Sequence, residues 1–114
     1  MKQIANNYDL EERTAQFGES IMIFCKSLPS DQILLPLVNQ LVRSATSIGA
    51  NYMEANGASS KKESQETKHW LRMIAVCCAD RKEEIRLLWK EAQELTLIFQ
   101  KITSTLKDKS LKLD

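Results

Sequence analysis

An apolar stripe through the last third of the chain leaves little freedom in the choice of fold. Ile85, Leu88, Ala92, Leu95, Phe99, Ile102 and Leu106 recur at alternating steps of three and four residues. A helix turns once in 3.6 residues, so these side chains share one face; a strand, with its period of two, would scatter them over both of its faces. A stripe of this kind is the packing seam of a bundle or coiled coil and needs other helices to cover it. It predicts a helix over about 80–107, with Asp80 as N-cap, Glu83 three residues on, and a frayed mixed-charge tail from Lys107 to Asp114.

Three more segments supply the covering surface. The first, 9–28, opens with Asp9 and Glu12 in capping-box spacing and carries Leu10, Thr14, Phe17, Ile21, Phe24 and Leu28 on one face. Pro29-Ser30-Asp31 then ends it. The second, 31–57, places Leu34, Leu37, Val38, Leu41, Ala45, Ile48, Tyr52 and Ala55 together, with Pro36 near its start and Gly57 as its stop. The third, 60–77, is capped by Ser59 or Ser60 and is the shortest; it buries Thr67, Trp70, Leu71, Ile74 and either Cys77 or Cys78. Three glycines and two prolines are too few for the turns of an all-β fold. The expectation is an all-α chain, 1–114 forming one antiparallel up-down-up-down four-helix bundle.

Charge and cysteine usage narrow the function. Sixteen Lys and Arg against fifteen Asp and Glu leave +1, without the basic excess of a dedicated nucleic-acid binder. Three cysteines, two of them adjacent, do not form a disulfide framework and suit a reducing, cytoplasmic setting. Met1-Lys2-Gln3-Ile4 does not open a secretory signal, and no apolar run is long enough to span a membrane.

The second segment carries another pattern. Gln40, Arg43, Ser47, Asn51 and Glu54 fall within a narrow arc away from the apolar face. The plain reading of the arc is a solvated face; but Ser47, Asn51 and the neighbouring Ala50 are short, which lets another helix approach closely, and the sharper reading is a buried or subunit-facing polar seam. Arg43 and Glu54 stand three turns apart, which favours pairing between chains over pairing within one.

The stretch QLVRSATSIGANYMEANGASSKK resembles the bacterial four-helix bundle protein family associated with intervening sequences in large-subunit ribosomal RNA genes. Gln40, Leu41, Arg43, Ser44, Ser47, Ile48, Asn51, Glu54, Ala55, Ser60 and Lys61 match that family's pattern. ETKHWLRMIA and LLWKEAQELTLIF are similar to it as well, through Glu66, Thr67, Trp70, Leu71, Arg72, Glu91, Ala92, Glu94 and Leu95. One departure stands out. After Ser60-Lys61-Lys62 the family continues with about three more helical turns that this chain lacks, which would leave the second helix short of its neighbour near Pro36. The resemblance implies an antiparallel bundle, homopentameric in several members, with no established enzymatic activity. A related branch, the accessory proteins of diversity-generating retroelements, forms basic pentameric barrels that bind nucleic acid and a reverse transcriptase.

No constellation for catalysis emerges. Glu66 and His69 have the Glu-x-x-His spacing of di-iron bundles, but His69 is the sole histidine and the second copy that such a site needs is missing. Adjacent Cys77 and Cys78 are poorly spaced for zinc, and Gly18, Gly49 and Gly57 are too isolated to form a phosphate loop. No catalytic residue, cofactor, metal or small-molecule substrate is therefore expected. The best nucleic-acid candidate is the stripe Lys61, Lys68 and Arg72, with Lys62 beside it, in a segment where four positive residues outnumber two negative ones. The reading is a non-catalytic homo-oligomeric scaffold or binding module, with an RNA- or DNA-binding accessory protein as the alternative.

Overall fold

A computed structural model describes residues 9–113, with side chains described over 9–106. The reading of Met1 to Ile4 and the last residue of the tail lie outside that range. The chain is all-α: α1 (Leu10–Lys26), α2 (Leu34–Met53), α3 (Gly57–Cys77) and α4 (Lys82–Leu113), with a 3-10 turn over Ala79–Arg81 and no strand among the described residues.

The termini of these helices show what the local sequence does. Asp9 occupies the N-cap of α1, yet its side chain makes no capping hydrogen bond, so the expected capping box does not form. Glu11 and Glu12 still place negative charge at the positive end of the helix dipole. Asp31 holds the start of α2, its Oδ1 accepting from the amides of Ile33 (2.8 Å) and Leu34 (3.0 Å). Pro36 falls in the first turn, where an N–H would have had no partner within the helix, so it neither breaks nor delays α2.

The end of α2 corrects the sequence reading. Gly57 is not the stop. Ala55 turns the chain with a φ of 57°, while its amide donates to the Tyr52 carbonyl (2.9 Å) and that of Asn56 to the Asn51 carbonyl (2.9 Å). This is a Schellman motif, usually built with glycine at that residue and here built with alanine. Asn56 then caps α3, its side chain accepting from the Ser59 amide, so neither Ser59 nor Ser60 is the cap. Helix α3 begins at Gly57 and has 21 residues, against 17 in α1 and 20 in α2; it is not the shortest. It also matches α2 in length, and Leu34 at the far end of α2 is buried, although Ile33, Leu35 and Pro36 beside it are exposed.

Each helix packs on the next, and α4 closes back on α1. Between α1 and α2, Gly49 lies against Thr14 and Gly18 against Thr46. Hydroxyl groups line the centre of the α2–α3 interface. Thr67 Oγ1 donates to Ser44 Oγ (3.0 Å), and Ser60 Oγ donates to the Ile48 carbonyl (2.9 Å), all within the fully buried layer. Between α3 and α4, Gly57 abuts Ile102 and Thr103. Across α1 and α4, the Arg13 guanidinium forks onto Glu91 (2.7 and 2.8 Å) and reaches Glu94 (2.8 Å), while Arg81 donates to Ser27 Oγ (2.7 Å). Inside this frame Ile21, Leu41, Ala45, Ile48, Leu71, Ile74, Leu95 and Phe99 are wholly excluded from water. Each large member of that set contributes about 1.5–3 kcal/mol by burial.

Helix α4 runs to Leu113 as helix, past the expected end near Lys107. Its 32 residues make it roughly 48 Å long at about 1.5 Å per residue, well beyond the reach of α3. The stripe follows suit. Ile85, Ala92, Leu95 and Phe99 are buried, Leu88 and Ile102 half-buried, and Leu106, past the start of α3, is 60% exposed.

Candidate functional site

The polar arc on α2 lies along the edge where α2 meets α3. Gln40, Arg43 and Glu54 are exposed, while Ser47 and Asn51 are half-buried. Arg43 is already paired within the chain. It donates to Glu66 (2.6 Å) and more weakly to Glu63 (3.4 Å), both on α3, and its Nε donates to Gln40 (3.3 Å). The hydrogen bond with Glu66 raises the Arg43 pKa further, fixing its charge. Ser47 donates back to the Arg43 carbonyl (2.6 Å), and the Asn51 carbonyl closes the α2 terminus. The five residues thus share an edge, but Arg43 and Glu54 do not meet, and the arginine's carboxylate partners come from α3.

The basic stripe on α3 is partly folded back onto the protein. Lys68 donates to Gln93 and lies 5.3 Å from the centre of the Trp89 ring, a cation–π contact. Lys62 lies 3.7 Å from Glu66. Lys61 and Arg72 have no ion pair among the described residues.

The remaining chemistry-bearing residues are dispersed. His69 is exposed and meets Trp70 edge-on, with ring centres 4.7 Å apart. The Trp70 indole N–H is buried with no acceptor among the described residues. Cys77 is exposed and Cys78 buried, which settles which of the two faces the interior. Burial pushes the half-buried Cys25 thiol up to about 11 and raises that of Cys78 as well, so neither is a ready thiolate. Among the described residues no three His, Cys, Asp or Glu side chains gather where they could share a metal ion, and no helix is long and apolar enough to cross a membrane.

One apolar surface lies beside α1, where apolar periodicity did not single it out. Two grooves flank α1. One, of about 370 Å³ between α1 and α2, is floored by Ala15, Gly18, Gly49 and Ala50, with Met22 and Met53 beside them. The other, of about 350 Å³ between α1 and α4, is lined by Ile23, Phe24, Leu87 and Leu88 along with Arg81 and Glu84. Met22, Met53, Ile23 and Leu87 are exposed by 40%, 62%, 71% and 67%. These four side chains put apolar surface on both sides of one helix. The signal was present as Met22-Ile23, which sits off the buried stripe in an otherwise charged or small outer face.

Comparison with protein-family models, with curated proteins and with solved structures finds no match to this chain.

Proposed function

We propose that the chain is a non-catalytic, cytoplasmic, homo-oligomeric scaffold or binding module, built as an antiparallel up-down-up-down bundle. Register supports the topology. As residue numbers rise along one helix they fall along its neighbour: Thr14 with Gly49 and Gly18 with Thr46, Ser44 with Thr67 and Ile48 with Ser60, Lys68 with Gln93 and Gly57 with Thr103, Arg13 with Glu91 and Ser27 with Arg81. The observation that carries the functional reading is the exposed apolar surface around α1. Met22, Met53, Ile23 and Leu87 border two grooves, and water-exposed apolar surface concentrated in this way marks a contact with another protein. On the α2 edge, Asn51 and Glu54 offer polar side chains to a sister subunit, flanked by Gln40, Arg43 and Ser47, which are hydrogen-bonded within the chain. The resemblance to the four-helix bundle family supports self-assembly and implies a homopentamer.

Light scattering after size-exclusion chromatography tests this. The native chain is expected to give a multiple of its own mass; a monomer at every concentration overturns the scaffold reading. Glu54→Ala tests the seam, since an unchanged assembly removes that edge from the interface.

The alternative, a nucleic-acid-binding accessory role, now rests mainly on Lys61 and Arg72, since Lys62 pairs with Glu66 and Lys68 is turned onto Gln93 and Trp89. Affinity for RNA or DNA that falls steeply with salt would favour it, and none at low salt would end it.

A further inference from the structure

Helix α4 carries two unlike edges. Toward α1 it presents Leu87, Glu91, Glu94 and Ile98, in steps of four, three and four. Leu87 and Ile23 border the α1–α4 groove, and Glu91 and Glu94 bond Arg13 along the same edge. Toward α3 it presents Trp89, Gln93 and Leu97, with Lys68 of α3 lying on the first two. Arg72 and Val76 continue from Lys68 along that side of α3, four residues at a time. Trp89, Leu97 and Val76 are exposed by 38%, 57% and 80%.

The two edges are opposite in charge. Along the α1–α4 groove Glu84, Glu91 and Glu94 outnumber Arg13 and Arg81, and Glu12, about three turns before Ile23 on the same side of α1, adds to the excess. The α3–α4 edge is basic because both carboxylates of α3, Glu63 and Glu66, are turned the other way onto Arg43, leaving Lys61, Lys68 and Arg72 together. On its α4 side Arg86 and Glu83 cancel one another.

We infer that the α1–α4 edge of one copy docks on the α3–α4 edge of the next, with the bundles parallel and side by side. Rotation about an axis along the bundles shifts nothing along that axis, so the two edges must match at equal heights, and α4 supplies the height of both. Leu87 stands about 3 Å from the level of Trp89, and Ile98 about 1.5 Å from that of Leu97. Between them, Glu91 and Glu94 bracket Gln93, where Lys68 lies. Docking thus sets Leu87 on the partner's Trp89 and the partner's Val76, Glu94 near the partner's Lys68 and the partner's Arg72, and Ile98 on the partner's Leu97. Apolar meets apolar at both ends of the contact, and acid meets base in the middle. Two like edges would instead set carboxylates against carboxylates or cations against cations. The contact joins unlike surfaces, so it imposes no even count. Both edges flank α4, so successive copies turn about that corner of the bundle and close a ring instead of extending a filament.

This inference rests on the scaffold reading and names the surfaces that join. The test is the mass of the native chain, of two variants and of their mixture across a dilution series, with helicity followed by circular dichroism. Leu87→Lys sets a cation against the partner's Arg72, and Leu97→Glu sets an anion against the partner's Glu94. Both positions are exposed, so helicity is expected to stay unchanged. Each variant is expected to weaken association about tenfold or more, the effect of losing one buried leucine. Mixed one to one, where each alone is monomeric, the variants are expected to form a dimer, because each keeps the edge that the other has lost. A mixture that stays monomeric overturns the inference. So does a native oligomer that tolerates either substitution, a result that leaves the scaffold standing and the basic edge open to nucleic acid. A native chain that is monomeric throughout removes both readings. Glu54→Ala probes the α2 edge, which this contact does not use, so its outcome bears on that seam alone.

Discussion

Replacing Ala55 with glycine should stabilise this protein, although the change deletes a side chain and adds no contact. Ala55 holds a φ of 57° to close the Schellman turn after α2. For an L-residue that conformation costs about 1–2 kcal/mol, because Cβ crowds the following carbonyl oxygen. Glycine removes that cost but loses more backbone entropy on folding, about 0.5–1 kcal/mol relative to alanine. The difference leaves a gain of about 0.5–1 kcal/mol, or roughly 2–5 °C in Tm for a domain of this size. Ala55 is exposed, so no cavity offsets the gain. Urea unfolding at one fixed protein concentration should move the midpoint upward with an unchanged slope. Ala55→Val should move it the other way, because β-branching worsens the same clash. Equal or lower stability for Ala55→Gly would mean that the turn is not left-handed at this residue, and the hydrogen-bonded end of α2 would have to be redrawn.

Other outcomes follow from the same structure. Arg13→Ala should destabilise by about 1–2 kcal/mol in thermal unfolding, and Arg13→Lys should recover less than half, because the two-pronged bond to Glu91 needs the planar fork. Thr67→Val should cost about 1 kcal/mol in denaturant unfolding, since it deletes the buried hydroxyl bridge to Ser44 while keeping the volume. Thiol labelling at neutral pH should modify Cys77 first, with Cys25 and Cys78 following only on unfolding. The Cys25 thiol titrates near 9.0 ordinarily and near 11 when folded, so the unfolded chain releases its proton first. Stability should therefore be full below pH 9 and decline between pH 9 and 11, and Cys25→Ala should flatten that decline.

Apolar spacing located α1, α2 and α4 because their buried faces are made of Leu, Ile, Phe and Ala. It misplaced the start of α3 for a physical reason. The first two turns of that helix bury Ser60 and Ser64, and hydroxyls facing a neighbouring helix read as surface until the neighbour is known; of this layer only Thr67, a turn further on, fell on the expected apolar face. Gly57 reads as a stop by residue type, whereas the left-handed residue is Ala55, which no propensity rule selects. The polar arc on α2 was legible as an arc. The partners of Arg43 were not, since Glu63 and Glu66 lie beyond a turn whose geometry decides what reaches across. Lys68 likewise joins a basic stripe by spacing but is turned onto Trp89 and Gln93 by the packing of α4. The groove beside α1 escaped because Ala15 and Gly18 carry no hydropathy signal; only the folded chain shows that Gly49 and Ala50 stand opposite them.

The hydroxyl layer between α2 and α3 has a consequence for how this hairpin zips. Greasy faces tolerate sliding, since one methyl replaces another at little cost. Here a slip of a single turn, about 5.4 Å, would part Thr67 from Ser44 and carry Ser60 away from the Ile48 carbonyl, stranding a dry donor at a cost of about 1–3 kcal/mol. The two helices behave as a key with one notch: they can close in a single alignment, and every later docking step inherits that choice.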